Sequence, residues 1–295
     1  NRKYEIRSRL KNLLELRNWG AGVAVYPSQN RESWVDAMMI WSGARTRIGL
    51  QGTSYMSRPW ILNLGQICYN RLLRRQTSTE MGNMSRILEE FHAEKRMESR
   101  PAVELDKKIH SRVDEKLAKW NLSPKGKKWA LISPVSRDEI RSWKPEGFVE
   151  IIRELHLKKN LSTVLVGSKE DERELLSIQE RCKNLPLIVC PGTFTLSELA
   201  SIMRHAEIFI GVESGPLHFA TAAGIPTVCI MGGGLFGQFF PYGDPEKNRV
   251  AHTPLPCYGC KWHCIHDTVR CIQEITPRIV WKEIEAALST NHPKK

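Results

Sequence analysis

One stretch of the sequence indicates the fold most clearly: residues 207–231, which read EIFIGVESGPLHFATAAGIPTVCIM. Residues 208–212 are apolar without alternation, as expected of a parallel strand that is covered on both faces. Ser214 can cap a helix, Gly215 lets a ligand approach the backbone, and Pro216 lacks an N–H where none is needed. The order strand, turn, helix, strand therefore predicts an anion-binding helix N-terminus beyond the carboxyl end of a buried strand.

The same alternation extends over the second half of the chain. Strands are predicted at 128–133, 162–167, 187–190, 207–212 and 226–231, and helices at 146–157, 169–182, 195–204, 216–223 and 277–289. This pattern is typical of a doubly wound parallel sheet. Earlier in the chain, the patterns predict helices at about 2–18, 32–42, 80–94 and 102–119, a strand at 21–26, and a turn-rich stretch around 49–59. A break containing Pro and Gly at 121–126 sets the predicted boundary between domains 1–122 and 123–295.

The composition favours a globular protein with a basic N-terminal region. With 41% hydrophobic and 26% charged residues, the 295-residue chain is neither disordered nor membrane-spanning, and we expect it to be cytoplasmic. The net charge is +12, and residues 1–100 hold 17 Lys or Arg against 9 Asp or Glu. This charge indicates either a solvated surface or a field for an anionic partner, such as a phosphorylated lipid-linked saccharide at a membrane leaflet. Nucleic acid is disfavoured because basic and aromatic recognition motifs are absent from the sequence.

Several motifs in order along the chain resemble one enzyme family. They are SPVSRDEIRSWKPEGF (133–148), VLVGSKEDEREL (164–175), GTFTLSELASIMRHA (192–206), ESGPLHFA (213–220) and CYGCKWHC (257–264). Together they resemble glycosyltransferase family 9, the ADP-heptose:lipopolysaccharide heptosyltransferases, whose signature is D/E-S-G-P-x-H-x-A. The resemblance covers roughly residues 127–290.

The resemblance implies an α/β protein of GT-B architecture, in which two Rossmann-like domains face each other across a cleft. The C-terminal domain would bind the nucleotide sugar. Before residue 127 the resemblance is limited to VAVYPS, SGARTRIGL and TEMGNMSRILEEF. Members of the family open with a strand and a Gly-Asp loop, and this loop resembles a site for the general base. Neither has a counterpart in the sequence from Asn1 onward. We therefore expect an incomplete N-terminal domain and leave the general base unassigned.

The activity implied by the resemblance is inverting transfer of a sugar, heptose above all, from ADP-heptose to lipopolysaccharide or a related glycan by a single displacement. Such an enzyme would work in the cytoplasm or peripherally at the inner membrane. No catalytic metal is expected, because cationic side chains and helix amides can stabilise the departing diphosphate. Two other classes remain open: a non-catalytic subunit that binds nucleotide sugars or serves assembly, and a basic cysteine-finger protein that binds nucleic acid.

The diphosphate is expected to contact the loop after the first strand of the C-terminal domain and the start of the signature helix. Arg141 would pair with a phosphate oxygen and Ser136 would donate its hydroxyl. His218 would add an imidazole N–H next to the free amides of Gly215 and Leu217. The alternative for Arg141 is a solvated helix-start residue, and for His218 a structural role.

Three further residues would contact the remainder of the donor. Glu213 stands where the best-known family members carry Asp, and would accept hydrogen bonds from sugar hydroxyls. Glu170 or Asp171 would accept from the ribose, although acids at a helix start are also common without a ligand. Phe194 would stack on the adenine ring, or else belong to the core.

Two clusters remain open in function. Cys257, Cys260, Cys264 and Cys271 are spaced to enclose a structural zinc or iron ion, with reduced thiols or disulfides as alternatives and His263 and His266 as substitute ligands. The glycines at 232–234 lack the G-x-G-x-x-G spacing of a dinucleotide loop. They would close over the donor, position the acceptor, or form a plain turn.

Overall fold

The computed structural model describes residues 12–28, 32–51, 65–75, 79–91, 101–120, 122 and 128–290. The chain divides into two compact units, one of Asn1–Met97 with Gly237–Phe239 and one of Glu98–Phe236 with Phe240–Lys295. Most of the predicted break at 121–126 lies outside the described residues, so the boundary at 122/123 stays a prediction. None of the described helices combines the length and the apolarity that crossing a membrane requires.

The first unit contains a small parallel sheet flanked by helices. Its elements are β1 (Val23–Tyr26), α1 (Ser33–Trp41), β2 (Thr46–Leu50), a 3-10 turn (Gln66–Cys68), β3 (Arg71–Leu73) and α2 (Glu80–Glu89), and the strand order is β1-β2-β3. Residues 12–18 are also helical, whereas the beginning of the helix predicted at 2–18 lies outside the described residues. Residues 52–59 of the predicted turn-rich stretch lie outside them too, and residues 49 and 50 belong to β2.

A buried hydrogen bond between two side chains links separate segments of this unit. The hydroxyl of Tyr69 donates to Oδ1 of Asp36 at 2.6 Å, and both side chains are buried. This bond joins α1 to Tyr69, which lies two residues before β3. A second bond runs from Nε of Arg47 to the carbonyl of Cys68 at 2.8 Å, so β2 is held to the same segment.

The second unit has a six-stranded, all-parallel sheet. Its elements are α3 (Lys107–Lys119), β4 (Trp129–Ser133), a 3-10 turn (Glu139–Arg141), α4 (Pro145–Lys159), β5 (Ser162–Gly167), α5 (Glu172–Arg181), β6 (Leu187–Pro191), α6 (Leu196–Met203), β7 (Ile208–Val212), α7 (Gly215–Ala223), β8 (Thr227–Ile230), β9 (Asn248–Ala251), α8 (Arg270–Gln273) and α9 (Pro277–Ser289). The strand order is β6-β5-β4-β7-β8-β9. The predicted α/β class with a doubly wound sheet is confirmed, whereas β9 and the short helix α8 were not predicted.

Sequence-local signals explain where the helices of this sheet begin and end. Thr195 and Glu198 form a reciprocal capping box at the start of α6, and the Thr276 hydroxyl accepts the Ile279 N–H at the start of α9. Gly224 ends α7 with φ of 77°, a left-handed conformation that glycine adopts without a Cβ clash. All five residues of β4 and of β7 are buried, which explains their continuous apolar runs.

Candidate functional site

The strand order of the second unit reverses direction at one point of its sheet, between β4 and β7. From β4 the chain moves outward through β5 to β6, then returns to place β7 on the other side of β4. Ser133 at the end of β4 pairs in register with Gly211 of β7. The loops that follow these two strands therefore leave the sheet side by side. In open parallel sheets, this point of reversal at the carboxyl edge is where ligands bind.

The loop after β7 leads directly into the N-terminus of α7. An ideal Cβ placed on Gly215 would have no described atom within 4 Å, so the backbone here borders open space. Ser214 is the N-cap residue, but its hydroxyl donates to the Val212 carbonyl at 3.2 Å instead of capping a helix amide. The N–H of Leu217 donates to the Ser214 carbonyl at 3.1 Å. The expectation of a free Leu217 amide is therefore wrong in this state, and a ligand would have to compete for that N–H.

Glu213 and Arg141 meet beside this helix start. Glu213 is only 3% exposed, and its Oε2 has no hydrogen-bond partner among the described residues. Burial raises the pKa of the Glu213 carboxyl to about 7, although the nearby Arg141 cation opposes the shift. Arg141 forms an ion pair with Asp138, while its Nε is buried without a partner among the described residues. The site therefore contains a buried carboxyl group and a guanidinium with an unused donor.

The segment between β4 and α4 is fixed by a buried tryptophan. The indole N–H of Trp143 donates to the Ile275 carbonyl at 2.8 Å, and its ring packs edge-to-face with Phe148 at 5.0 Å between centroids. A Cβ on Gly147 would lie 2.3 Å from this ring, so only glycine fits there. Ser136, 7% exposed, lies in the same anchored segment.

His218 belongs to a hydrogen-bonded pair on α7. Its Nδ1 lies 2.9 Å from the hydroxyl of Tyr242, and the two rings are stacked with centroids 5.8 Å apart and planes 3° apart. Burial lowers the pKa of His218, which favours the neutral imidazole. Burial also raises the pKa of Tyr242 to about 12, and a hydrogen bond with the Thr221 side chain partly opposes that shift.

The two acids after β5 have different environments. Oδ2 of Asp171 accepts the backbone N–H of Ser168 at 2.7 Å, so this carboxylate stabilises the turn. Glu170 is exposed, and hydrogen bonds from its own backbone N–H and from the Ser168 hydroxyl lower its pKa. Of the two ribose candidates, Glu170 is therefore the one with the more exposed carboxylate.

Phe194, which follows β6, is supported by α3. The ring of Trp120 meets Phe194 edge-on with centroids 5.9 Å apart, and Nζ of Lys116 lies 5.4 Å from the Phe194 centroid. Lys116 also donates to the Thr193 carbonyl and to Glu198, both at 2.9 Å. Phe194 is half-buried. Its ring therefore has a fixed position and a partly accessible surface.

The three glycines at 232–234 accommodate aromatic rings of a later loop. A Cβ on Gly233 would lie 2.1 Å from the Tyr258 ring, and one on Gly234 would lie 2.3 Å from the Trp262 ring. The N–H groups of Gly259 and Lys261 donate to the carbonyls of Gly233 and Gly234, both at 2.9 Å. The glycines thus allow the 257–264 loop to pack against their backbone. These contacts do not test whether the glycine segment closes over the donor or positions the acceptor.

The described residues do not show a metal site at the cysteine cluster. All eight cysteines are free thiols, and no three His, Cys, Asp or Glu side chains among the described residues converge as metal ligands. Sγ of Cys257 lies 3.9 Å from Nε2 of His266, Cys264 is exposed, and Cys271 is buried near Gly233. The other three cysteines of the cluster lie within electrostatic reach of Cys271. A structural metal, reduced thiols and disulfides therefore all stay predictions for this cluster.

Comparisons with known proteins establish the family. The sequence model described as Glycosyltransferase family 9 (heptosyltransferase) matches residues 29–264, so the chain belongs to this family. It is 29% identical over 108 residues to lipopolysaccharide heptosyltransferase 3 of Escherichia coli, an alignment that covers 36% of this chain and 32% of that protein. Alignments with the other curated relatives span 30 to 53% of the relative's own length.

Solved structures confirm the fold. The crystal structure of the glycosyl transferase family 9 from Veillonella parvula aligns with a TM-score of 0.69 at 16% identity, and covers 96% of this chain and 79% of that one. E. coli ADP-heptose lps heptosyltransferase II aligns with a TM-score of 0.65 at 16% identity, and covers 97% and 82%. The family resemblance and the GT-B fold class inferred from the sequence are both confirmed.

Sequence reasoning missed several residues at this edge of the sheet. Tyr242 lies in a loop without a recognisable motif, and Asp138 was not expected to hold Arg141. The spacing of Lys116 and Trp120, one helical turn apart at the end of α3, indicates that they are neighbours on one helix face. The local sequence does not show that this face contacts Phe194.

Proposed function

We propose that this chain is a glycosyltransferase that transfers a sugar, heptose above all, from ADP-heptose to a saccharide acceptor of the lipopolysaccharide type. The observation that carries the proposal is the open N-terminus of α7 at the reversal point of the sheet, with Arg141 and Ser136 on the neighbouring loop. Helix amides, a guanidinium and a hydroxyl suit a diphosphate. The name of the E. coli heptosyltransferase II structure supports ADP-heptose as the donor.

In this proposal the protein's main contribution is to stabilise the leaving group. Inversion by a single displacement makes the ADP diphosphate more negative as the sugar departs with oxocarbenium character. Arg141 would exchange its ion pair with Asp138 for a phosphate oxygen, using the Nε that has no partner among the described residues. The α7 N-terminus and His218 would add N–H donors. The general base stays unassigned.

The remaining donor groups would contact residues along the same edge of the sheet. Glu213 is suited to the sugar hydroxyls, because a carboxyl group that burial keeps partly protonated can both accept and donate hydrogen bonds. Glu170 would accept from the ribose, and Phe194 would stack on the adenine. Ser214, Gly215 and Leu217 would line the diphosphate.

We further propose an anionic, lipid-linked acceptor and a peripheral location at the cytoplasmic face of the inner membrane. The basic excess in residues 1–100 supports this, since a positive surface is attracted to phosphorylated saccharides and to anionic lipid head groups.

A thermal-shift panel with ADP-heptose and with UDP-, GDP- and CMP-sugars tests the donor assignment. ADP-heptose should raise the Tm of the wild-type protein, and Arg141→Ala should abolish that shift without lowering the Tm of the free protein by more than a few degrees. The matched control is Arg137→Ala, which removes the same charge from an exposed position four residues away. An unchanged shift in Arg141→Ala, or an equal loss in Arg137→Ala, would remove Arg141 from the site.

Turnover with an LPS acceptor then separates the function classes. Binding of ADP-heptose without transfer would favour the nucleotide-sugar-binding subunit. Tight, salt-dependent binding of oligonucleotides with no response to any ADP-sugar would favour the nucleic-acid binder and overturn the transferase proposal.

A further inference from the structure

We propose that Tyr242 is a positioning residue that fixes the tautomer of His218, so that the imidazole carries its proton on Nε2 and can donate it to the donor diphosphate. This inference rests on the proposed function, because it assigns a role within the same site. It adds a residue that lies outside every motif found in the sequence.

The first argument is the geometry of the pair. The Tyr242 hydroxyl lies 2.9 Å from Nδ1 of His218, and the parallel rings keep this contact in one orientation. A phenol hydroxyl can donate to an unprotonated ring nitrogen. When Tyr242 donates to Nδ1, the single N–H of a neutral imidazole must be on Nε2, the nitrogen that Tyr242 does not contact.

The second argument is that burial favours the neutral form of His218, in which the choice of tautomer matters. Burial lowers its pKa. A protonated imidazole would donate from both nitrogens and need no such control. A neutral one donates from a single nitrogen, and an imidazole with its N–H on Nδ1 would present a lone pair on Nε2 to a phosphate oxygen, which is repulsive.

The third argument is that Tyr242 is itself held in place. The side-chain amide of Asn248, the first residue of β9, donates to the Tyr242 carbonyl at 2.9 Å. The fully buried ring of Phe240 packs edge-to-face against the Tyr242 ring at 5.6 Å. The buried Thr221 side chain hydrogen-bonds to the Tyr242 hydroxyl.

The test combines nitrogen NMR with ADP binding. In 15N-histidine-labelled wild-type protein, the ring signals that disappear in His218→Ala should show a protonated Nε2 and an unprotonated Nδ1. Tyr242→Phe should remove this preference and weaken ADP binding about fivefold to tenfold, the usual effect of losing one productive hydrogen bond. Tyr242→Phe introduced into the His218→Ala background should change ADP affinity less than twofold, because Tyr242 acts only through His218.

The matched control is Tyr258→Phe. The Tyr258 hydroxyl donates to the Thr253 carbonyl at 2.7 Å and lies 3.4 Å from Nδ1 of His252, so it is a second half-buried tyrosine beside a histidine. Its removal should leave the His218 signals and the ADP affinity unchanged.

Distinct outcomes overturn the inference and the proposed function. A protonated Nδ1 in the wild-type spectrum would refute the inference without any variant, as would an equal effect of Tyr242→Phe with and without His218. If the wild type shows the expected tautomer but does not bind ADP, the proposed function fails while the tautomer assignment stands.

Discussion

The carboxyl group of Glu213 is buried within electrostatic reach of the Arg141 guanidinium, yet its pKa is raised to about 7. Burial outweighs the favourable effect of the cation, and Arg141 is itself paired with Asp138. In the free protein the cation and the buried acid are therefore neighbours without a hydrogen bond between them. A diphosphate and a sugar would provide the missing partners for both.

Glu213 should make the protein less stable as the pH rises from 5 to 8. Its folded pKa of about 7 exceeds the ordinary value of 4.5, so the folded state binds more protons in this window and loses stability until the pH passes 7. Glu213→Gln cannot titrate. Relative to the wild type, its free energy of unfolding should therefore increase by roughly 2 to 3 kcal/mol from pH 5 to pH 8. Urea unfolding at four pH values measures this difference.

The control for this titration is Glu198→Gln. Glu198 is comparably buried at 4% exposure, but hydrogen bonds from Thr195 and Lys116 lower its pKa. Its stabilising contribution is thus lost only as the pH falls below about 4.5, so the difference between this variant and the wild type should stay constant from pH 5 to 8. A constant difference for Glu213→Gln as well would show that Glu213 does not titrate in this range.

Gly215→Leu should block nucleotide binding while leaving the fold intact. The space around the position is open, so a side chain is accommodated without a clash, but it would occupy the volume beside the helix amides. We expect a Tm within a few degrees of the wild type and a loss of the ADP-induced shift. Gly22→Ala, at another position with open space, controls for the general effect of replacing glycine. A normal ADP shift in Gly215→Leu would mean that the ligand binds elsewhere.

Phe194→Ala should weaken ADP about tenfold without affecting inorganic diphosphate. Stacking of an aromatic side chain on a base contributes about 1 to 3 kcal/mol, and diphosphate has no base to stack. Calorimetric titration with both ligands provides the comparison. Leu196→Ala is the control, because Leu196 lies two residues away and is 70% exposed. Equal weakening of both ligands would indicate that Phe194 acts through the core.

Gly234→Ala should destabilise the protein by about 1 to 3 kcal/mol, the usual effect of forcing extra atoms into a packed site. The new methyl group would overlap the Trp262 ring, whose shift would disturb the 257–264 loop. Chemical denaturation measures the loss. The matched variant Gly215→Ala adds the same methyl group where no described atom lies within 4 Å and should cost almost nothing. Similar stabilities of the two variants would contradict the packing described for Gly234.

The sequence could predict those helices and strands whose determining residues lie within the element or next to it. The buried run Ile208–Val212 and the helix start at Thr195 carry their signals within a few residues. By contrast, β2 and β9 are short and contain polar residues. They are strands through pairing with other segments, β2 with β1 and β3, and β9 with β8. Such pairing depends on distant segments, which explains why both strands were missed.

The site residues can be separated in the same way, into those with local signals and those that depend on distant segments. The helix start at Gly215 follows from its own motif, and the positions of Ser136 and Arg141 were available through the family resemblance. The partners that set the state of these groups were not: Tyr242 for His218 and Asp138 for Arg141 are visible only in three dimensions. Serine is a preferred helix N-cap residue, yet the Ser214 hydroxyl donates to the Val212 carbonyl and does not cap α7.

The strand order also has a consequence for biosynthesis. Since β7 joins the sheet beside β4 only after β5 and β6 have extended the other side, a chain still emerging from the ribosome possesses Ser136 and Arg141 long before it possesses α7. Under the proposed function, a nucleotide would protect the domain only after translation has passed Ala223. Ligand-dependent resistance to proteolysis would thus report that α7 has been synthesised, and not merely that the early segments of the domain are present.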